Sequence, residues 1–536
     1  MTHAEASNPH SYRQILKSSA LIGGASIINI VVSVVRSKAM ALLIGPAGVG
    51  LVGLYSSILN LTHSVAGMGI NQSGVRQIAE AAGSSEIERV ARTAAVLRRT
   101  SLVLGLLGAA LLVAFSGAVS AWTFGTREYA GPVALLSLAV LFSSISDGQA
   151  ALIQGLRRIS DLARIGVIGA IGGSVVSVVC VFLLRERGVV PSLVTAAAVT
   201  LIISWWYRRK VEIPPAPVTV AHVRDEAAAL LTLGSAFMAS AFVSTGAAYF
   251  VRIIVRDNIG LEAAGLYQSA WALGGMYVTI VLQAMGSDFY PRLTAVANDH
   301  RLSNRLVNEQ AHISLLLAAP GVVGTLTFAP LVIALFYHTT FAGAVEPLRW
   351  ICLGMALRVV AWPMGYILAA KGARSLLLWV EVAATVVHIG LAFVLVRRFG
   401  LPGATMAFFG LYIWHGLLVY AIVRRLTGFR WSPANLRTGL FVAVLIGGVF
   451  SGFYVLPTPI ATAIGVLGTV VSGVYSLRIL CRLVPLEGDR VPKVVREAVD
   501  WLTRPRSAAA LAPWSRSHAP TTGRADAVRP RETPSL

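Results

Sequence analysis

The sequence predicts an all-α polytopic membrane protein with about 14 transmembrane helices, in two six-helix lobes related by pseudo-two-fold symmetry plus two extra C-terminal helices. Three observations predict this fold: long apolar stretches, basic residues that favour alternate loops, and a faint internal repeat. Of the 536 residues, 56% are hydrophobic and 13% are charged, whereas soluble domains carry about 25% charged residues. Composition therefore excludes an ordinary soluble protein.

Each apolar stretch approaches the length of about 20 residues that a helix needs to cross a bilayer. A helix satisfies its own backbone hydrogen bonds, as a medium without water requires. The lobes are predicted at residues 18–210 and 228–425, joined by a cytoplasmic linker at 211–227 and followed by the additional helices at 438–481. The predicted spans are 18–44, 50–69, 101–124, 131–154, 164–184, 190–206, 228–254, 264–286, 312–337, 347–370, 375–396, 402–423, 438–455 and 459–481.

Basic residues predict the orientation of the chain. There are 45 basic and 24 acidic residues, a formal net charge of +21. With these spans, 32 basic residues fall on one side of the membrane, 6 on the other, and 7 within the spans. Cytoplasmic loops are rich in Lys and Arg, so residues 1–17 and the tail at 482–536 are both predicted to be cytoplasmic. The positive charge reflects topology, and nucleic acid is not an expected partner.

An internal repeat predicts the symmetry of the lobes. Residues 44–46 and 53–55, at the start of the second span, resemble residues 259–261 and 265–267, at the start of the eighth. Six spans separate the two copies, so both have the same orientation. Lobes related by an axis along the membrane normal are therefore expected, as in many transporters, with a ligand site between them.

The tail at 482–536 has a different character from the spans. Residues 492–502 combine an apolar side around Trp501 with the basic residues Lys493 and Arg496, which predicts a short interfacial helix. From residue 504 the chain is rich in Pro, Ala, Ser and Arg and is predicted to be disordered.

No enzymatic motif is apparent in the sequence. It lacks a phosphate-binding glycine loop with its lysine, a metal-ligand cluster and a nucleophile elbow. Cys180, Cys352 and Cys481 lie in predicted spans without the spacing of metal ligands. An enzyme is therefore not predicted, and neither a cofactor nor a metal is expected.

Arg358 is the strongest candidate for a functional residue. It lies eleven residues beyond Pro347, which places it about 16 Å along the helix and near the bilayer midplane. Ionisable residues at such depth often face a water-filled cavity, and Pro363 and Gly365 nearby can break a helix there. The alternative is a structural arginine that pairs with backbone carbonyls or with Glu381.

Two further ionisable residues share a face of span eleven. Glu381 and His388 lie on one side of the predicted helix with Arg374 and Thr385. A carboxylate and a histidine in a cavity can relay protons near neutral pH. A hydrogen-bonded cluster between helices remains open as the structural alternative.

Span one carries Asn29 and Arg36 on a polar face. Arg36 is predicted to face the cavity and bind substrate, as is Asn29, although Arg36 lies near the outer end and can also snorkel to the headgroups. Lys38 is about 200° around the helix from Arg36 and is expected to reach the outer headgroups.

Four more residues complete the predicted site. Asn60 and His63 on span two and Arg252 on span seven are candidates for substrate binding, and Asp147 on span four is a candidate for coupling or charge pairing, like Glu381 and His388. Arg252 matches Arg36 in the repeat, but for Arg252 snorkelling is the favoured alternative. Single polar residues in spans are often helix-packing contacts.

Six short segments of the chain carry a resemblance to a known family: residues 11–18, 20–24, 44–50, 67–71, 74–79 and 154–163. They resemble Wzx-type O-antigen and enterobacterial common antigen translocases, over about residues 11–425. This resemblance implies a flippase of the multidrug/oligosaccharidyl-lipid/polysaccharide exporter superfamily in a bacterial inner membrane. The family has twelve spans, so the last two helices and the tail depart from it.

The cargo implied by the resemblance is an undecaprenyl-diphosphate-linked oligosaccharide that moves from the inner to the outer leaflet, with a polysaccharide polymerase and glycosyltransferases as possible partners. The arginines would hold the diphosphate, and the polyprenyl tail would stay in lipid at a lateral opening. Two alternatives stay open: a drug or small-cation exporter of the same superfamily, which an acidic cavity would favour, and a non-transporting scaffold that acts through the basic tail.

Overall fold

The protein is all-helical throughout the part described by the computed structural model, residues 9–83, 87–214 and 220–483. The helices are α1 (Pro9–Ala66), α2 (Ile70–Gly83), α3 (Ile87–Ala114), α4 (Ser116–Phe124), α5 (Ala130–Gly155), α6 (Ile159–Leu184), α7 (Val189–Arg209), α8 (Val220–Asn258), α9 (Leu261–Ala295), α10 (His300–Thr327), α11 (Ala329–Phe336), α12 (Val345–Ala370), α13 (Arg374–Phe399), α14 (Leu401–Thr427), α15 (Pro433–Val455) and α16 (Thr458–Leu483). The predicted interfacial helix and disordered tail lie outside the described residues.

Among the described residues, eleven helical segments are long and apolar enough to cross a membrane, which confirms the prediction of a multi-pass membrane protein. Two of the eleven segments contain two predicted spans each: Gly24–Ala66, with 43 residues, and Ile159–Arg209, with 51 residues. Both are about twice the length that one crossing needs. Within the described part of the chain, α9 is not among the eleven.

The first two predicted spans are two helical segments of α1 that meet at a kink instead of a loop. Gly45 has φ 62° and ψ −170°, and Pro46 follows it. A positive φ suits glycine, and proline lacks the N–H that a straight helix would use. Both residues therefore turn α1 at this point, and the chain continues as a helix to Ala66.

The helices pack as two groups around α1, α8 and α9. In the first group, α3 packs on α5, α5 on α7, and α6 on both α1 and α7. In the second, α12 packs on α10 and α14, and α13 packs on α8 and α14. α1 contacts α8 and α9, which connects the groups, and α15 packs on α10.

A reciprocal glycine contact joins α1 and α9 just after the kink. A Cβ atom at Gly265 would clash with the carbonyl oxygen of Pro46, and one at Gly50 would clash with that of Leu261. Gly260, like Gly45, has a positive φ. The contact follows the first half of the predicted repeat, residues 44–46 with 259–261. Its second half is shifted, because Gly265 meets Gly50 instead of Gly53.

A second glycine contact joins the two groups just after the C-terminal end of α1. A Cβ atom at Gly234 of α8 would clash with the carbonyl oxygen of Met68, and one at Gly69 would clash with that of Gly234. Met68 and Gly69 both have positive φ. Backbones therefore meet directly at this end too, because neither glycine carries a side chain.

Candidate functional site

Two polar cavities lie on different faces of α8. The arginine cavity, of about 290 Å³, is lined by Arg358, Glu381, His388 and His415 together with serine and aromatic residues. The aspartate cavity, of about 340 Å³, is lined by Asn60, His63, Asp147 and other polar residues. α8 contributes Ser244 to the arginine cavity and Thr245 to the aspartate cavity. The structure therefore divides the predicted site between two places.

In the arginine cavity, three helices bring their ionisable residues together. α12 contributes Arg358, α13 contributes Glu381 and His388, and α14 contributes His415. Arg358 is partly buried and lies within electrostatic range of Tyr412 and His415. Arg358, which is predicted to lie deep in its span, therefore lines a cavity.

Several polar groups in the arginine cavity have no hydrogen-bond partner among the described residues of the chain. His388 Nε2 and His415 Nδ1 are buried without a hydrogen-bond partner. An ion pair between Arg358 and Glu381, one of the two forms of the structural alternative, is absent from the described residues. Instead, Ser240 Oγ donates to Glu381 Oε2 at 2.7 Å. A guanidinium and two imidazoles thus stay free to bind an anion.

Aromatic rings form a packed wall beside these groups. The Trp271 and Phe408 rings meet edge to face with centroids 4.9 Å apart, and Phe408 and Tyr412 do the same at 4.9 Å. The Tyr412 and His415 rings are 5.7 Å apart. Edge-to-face contacts of this kind hold rings in defined orientations. They hold His415 in place on the wall of the cavity that Arg358 also lines.

The aspartate cavity contains a carboxylate and an imidazole in contact. His63 Nε2 lies 3.4 Å from Asp147 Oδ2, with the two side chains 26% and 39% exposed. The contact has the distance of an ion pair but not the geometry of a hydrogen bond. Asn71 Nδ2 donates to the Asp147 carbonyl at 3.3 Å, which holds α2 against α5. Asn60 lines the same cavity, so three predicted residues lie together.

Arg36 and Asn29 lie outside the walls of both cavities. Arg36 is within electrostatic range of Tyr337, just beyond α11. Lys38 Nζ donates to the carbonyl oxygens of Ala334 and Leu335 at 3.2 and 2.6 Å. Ala334 and Leu335 lie in the last turn of α11, where backbone carbonyls have no N–H partner within the helix. Lys38 therefore caps the end of α11, and the expectation that it reaches the headgroups stays a prediction.

Asn29 and Arg252 are involved in contacts between helices. Asn29 faces α6 at Gly166, and its Oδ1 is buried without a hydrogen-bond partner. Arg252 Nε donates to Gln268 Oε1 at 2.9 Å, and Arg252 Nη1 donates to the Ala248 carbonyl at 2.8 Å. Ala248 is one turn before Arg252 on α8. Snorkelling, the favoured alternative for Arg252, is wrong because the guanidinium turns back along the helix to Ala248 and Gln268.

Sequence reasoning missed His415 and Asn71. His415 is an ionisable residue in the middle of an apolar span, which is itself a marker of a functional position. Asn71 lies just after α1, where no span was predicted. The spacing of polar residues within the spans therefore could not indicate its contact with α5. In the described residues, no group of three or more His, Cys, Asp or Glu has the arrangement of a metal site.

Solved transporters share this fold. The lipid II flippase MurJ in an inward closed conformation has a TM-score of 0.62 at 13% identity, with 86% of this chain and 99% of that chain covered. An inward-facing multidrug resistance MATE family transporter of the MOP superfamily has a TM-score of 0.61 at 16% identity, with 77% and 95% covered. The helical architecture is therefore that of these transporters.

Sequence relatives point to the same group. The lipid III flippase of Escherichia coli (strain K12) is 21% identical over 408 residues, which cover 74% of this chain and 95% of that protein. Residues 39–346 match the family described as polysaccharide biosynthesis protein. The resemblance to Wzx-type translocases is confirmed by these matches. Since the family match covers more than half of the chain, this membrane protein belongs to the polysaccharide biosynthesis protein family.

Proposed function

We propose that this protein is a flippase that moves an undecaprenyl-diphosphate-linked oligosaccharide from the inner to the outer leaflet of a bacterial cytoplasmic membrane. The observation that carries the proposal is the arginine cavity, where Arg358, His388 and His415 line one space. A sugar diphosphate cannot cross hydrocarbon unaided, because its charges and hydroxyls would lose their hydration. Charge-assisted hydrogen bonds from Arg358 would replace that hydration for the diphosphate.

The cavity also argues against export of a small cation. Its charged side chains include an arginine, and its one carboxylate, Glu381, already accepts a hydrogen bond from Ser240. A cation would meet the Arg358 guanidinium beside a single carboxylate, so the cavity is not acidic. The diphosphate of the proposed substrate fits this charge distribution better.

Alternating access of two lobes is the proposed mechanism. The lobes would be residues 18–210 and 228–425, joined by the linker at 211–227, with fourteen crossings if the two long segments each cross twice and α9 crosses once. The reciprocal contact of Gly50 and Gly265 supports the pseudo-two-fold relation. This contact and that of Gly69 with Gly234 flank the cavities, and transport would require each to open in turn.

The additional helices at 438–481 and the tail at 482–536 lie beyond the two proposed lobes. With both termini in the cytoplasm, as the basic residues predict, the tail would lie on the side where lipid-linked sugars are assembled. Contacts with a polysaccharide polymerase or glycosyltransferases would then be made there. Translocation itself would not need the tail, because the cavities lie entirely in the proposed lobes.

The full chain in liposomes should translocate a fluorescent undecaprenyl-diphosphate-linked oligosaccharide, and a chain that lacks residues 484–536 should do so at nearly the same rate. Dithionite, which cannot cross the membrane, measures the labelled head groups that remain outside. Failure of both proteins to move the lipid would contradict the flippase. Loss only in the shortened chain would favour the scaffold, and uptake of a lipophilic cation without movement of the lipid would favour the exporter.

A proton gradient is the proposed energy source, with His63 and Asp147 as the coupling pair. Histidine exchanges protons near neutral pH, and these two are the ionisable residues among those that line the aspartate cavity. Asp147→Asn should abolish the stimulation of translocation by a pH gradient. Slow translocation of the lipid in the absence of a gradient should continue. Asp257→Asn, which removes a carboxylate paired with Arg256 at the end of α8, should retain the stimulation. A normal gradient response in Asp147→Asn would refute the coupling role.

A further inference from the structure

A third cavity, the apolar groove, borders the arginine cavity. It has a volume of about 540 Å³ and lies between α1, α4, α8 and α13. Its walls include Leu61, Phe115, Trp122, Phe242 and Val386. Tyr249 also lines it, but its hydroxyl is hydrogen-bonded to Thr123 Oγ1 at 2.5 Å, so the ring is what it presents. The groove therefore suits a hydrocarbon ligand.

The groove is open to the surface that lipid covers. Trp122 is 71% exposed and Val386 is 65% exposed, so large apolar side chains on α4 and α13 flank its opening. Ligand pockets of about 300–1,000 Å³ enclose a drug-sized molecule. A groove of this size holds a segment of a long chain, and the rest of that chain can extend through the opening into the bilayer.

Three residues line both the apolar groove and the arginine cavity: Val243, Ala247 and Thr385. Val243 and Ala247 are four residues apart and lie on one face of α8, opposite Thr385 on α13. A polar space that contains the Arg358 guanidinium and an apolar space therefore share a wall. This arrangement matches an amphiphile whose anionic head and hydrocarbon chain are covalently joined.

We infer that the apolar groove binds the first part of the polyisoprenoid chain of the lipid-linked substrate while its diphosphate occupies the arginine cavity. This inference rests on the proposed function. The chain begins at the diphosphate, so it must leave the arginine cavity by an apolar exit, and the wall of Val243, Ala247 and Thr385 borders such an exit. The lateral opening for the chain is thus between α4 and α13.

Photo-crosslinking tests this position directly. Benzoylphenylalanine is placed at Val386, in the groove, or at Val444 on α15, outside it; both valines are 65% exposed, so Val444 is a matched control. The full chain in liposomes is irradiated with a polyprenyl-diphosphate-linked sugar that carries its label on the sugar. Labelling at 386 should exceed that at 444 several-fold and fall when unlabelled polyprenyl diphosphate is added.

Equal labelling at the two positions would overturn the inference, and so would competition at 386 by phosphatidylglycerol as effective as that by polyprenyl diphosphate, since the groove would then hold ordinary lipid. Translocation by the unsubstituted chain is measured in parallel. Normal translocation with equal labelling rejects the groove but not the flippase. Absent translocation rejects the flippase, while selective labelling at 386 would still support binding of the isoprenoid chain.

A filling substitution gives a second readout. Val386→Trp should raise the half-saturating concentration of the long-chain substrate several-fold, because the indole occupies the space of the chain, and should leave that of a sugar diphosphate without an isoprenoid chain unchanged. Val444→Trp should change neither. An equal effect of Val386→Trp on both substrates would overturn the inference, because the loss would not depend on the chain.

Discussion

Replacement of Arg358 by alanine should reduce translocation of the lipid-linked sugar by at least about 100-fold, the equivalent of about 3 kcal/mol. Each hydrogen bond from a charged group contributes about 1.5–3 kcal/mol, and the guanidinium can make two to a diphosphate. The expected loss of binding free energy therefore corresponds to one or two such hydrogen bonds. It is measured as the initial rate of head-group protection in liposomes.

Matched variants separate the role of Arg358 from a general effect of losing an arginine. Arg349 lies on the same helix and packs over the Phe453 ring, 3.6 Å from its centroid, away from the cavity. Arg349→Ala should therefore insert and transport nearly normally. Arg358→Lys should recover part of the rate, because it keeps the charge but not the planar fork of donors. Near-normal translocation by a correctly inserted Arg358→Ala protein would refute the proposed site.

Alanine at Gly265 or at Gly234 should shift the protein toward opposite open states and slow transport in both cases. A Cβ at Gly265 clashes with the Pro46 carbonyl, and one at Gly234 clashes with the Met68 carbonyl. Backbone atoms cannot rotate away, so the helices must separate at that end. With the predicted orientation, Gly265→Ala opens the outer side and Gly234→Ala opens the inner side.

Labelling of a cysteine at Ser244 in the arginine cavity measures these states, in a chain without Cys180, Cys352 and Cys481. A maleimide that cannot cross the membrane should react faster from outside in Gly265→Ala and slower in Gly234→Ala. Gly416→Ala is the control, because no atom lies within 4 Å of its added Cβ and alanine is favourable in a helix. If Gly265→Ala behaves like Gly416→Ala, the outer contact is not a gate.

Part of the candidate site follows from local sequence rules. Glu381 and His388 lie on one helical face because they are seven residues apart, and the structure places both on the arginine cavity. Arg358 was singled out by its depth in an apolar span. These inferences need only the geometry of a single helix, so they survive whatever the neighbouring helices are.

The rest depended on contacts between residues distant in the chain. Arg36 lies on a polar helical face that predicted a cavity position, yet it lies beside Tyr337, and Lys38 binds the end of α11. Arg252 turns to Gln268 on α9. His415 joins Arg358 only because α12 packs on α14. No periodicity within one span reports which neighbouring helix its polar face meets.

The sequence by itself determined that the chain is a helical membrane protein, because burial of apolar side chains and of backbone hydrogen bonds in lipid depends on each segment alone. The tertiary structure decided which polar residues share a cavity. It also placed the apolar groove against the arginine cavity, since that neighbourhood arises only when α8 and α13 meet. Helix packing in lipid is governed by close backbone contacts and polar pairs, and these are properties of two helices together.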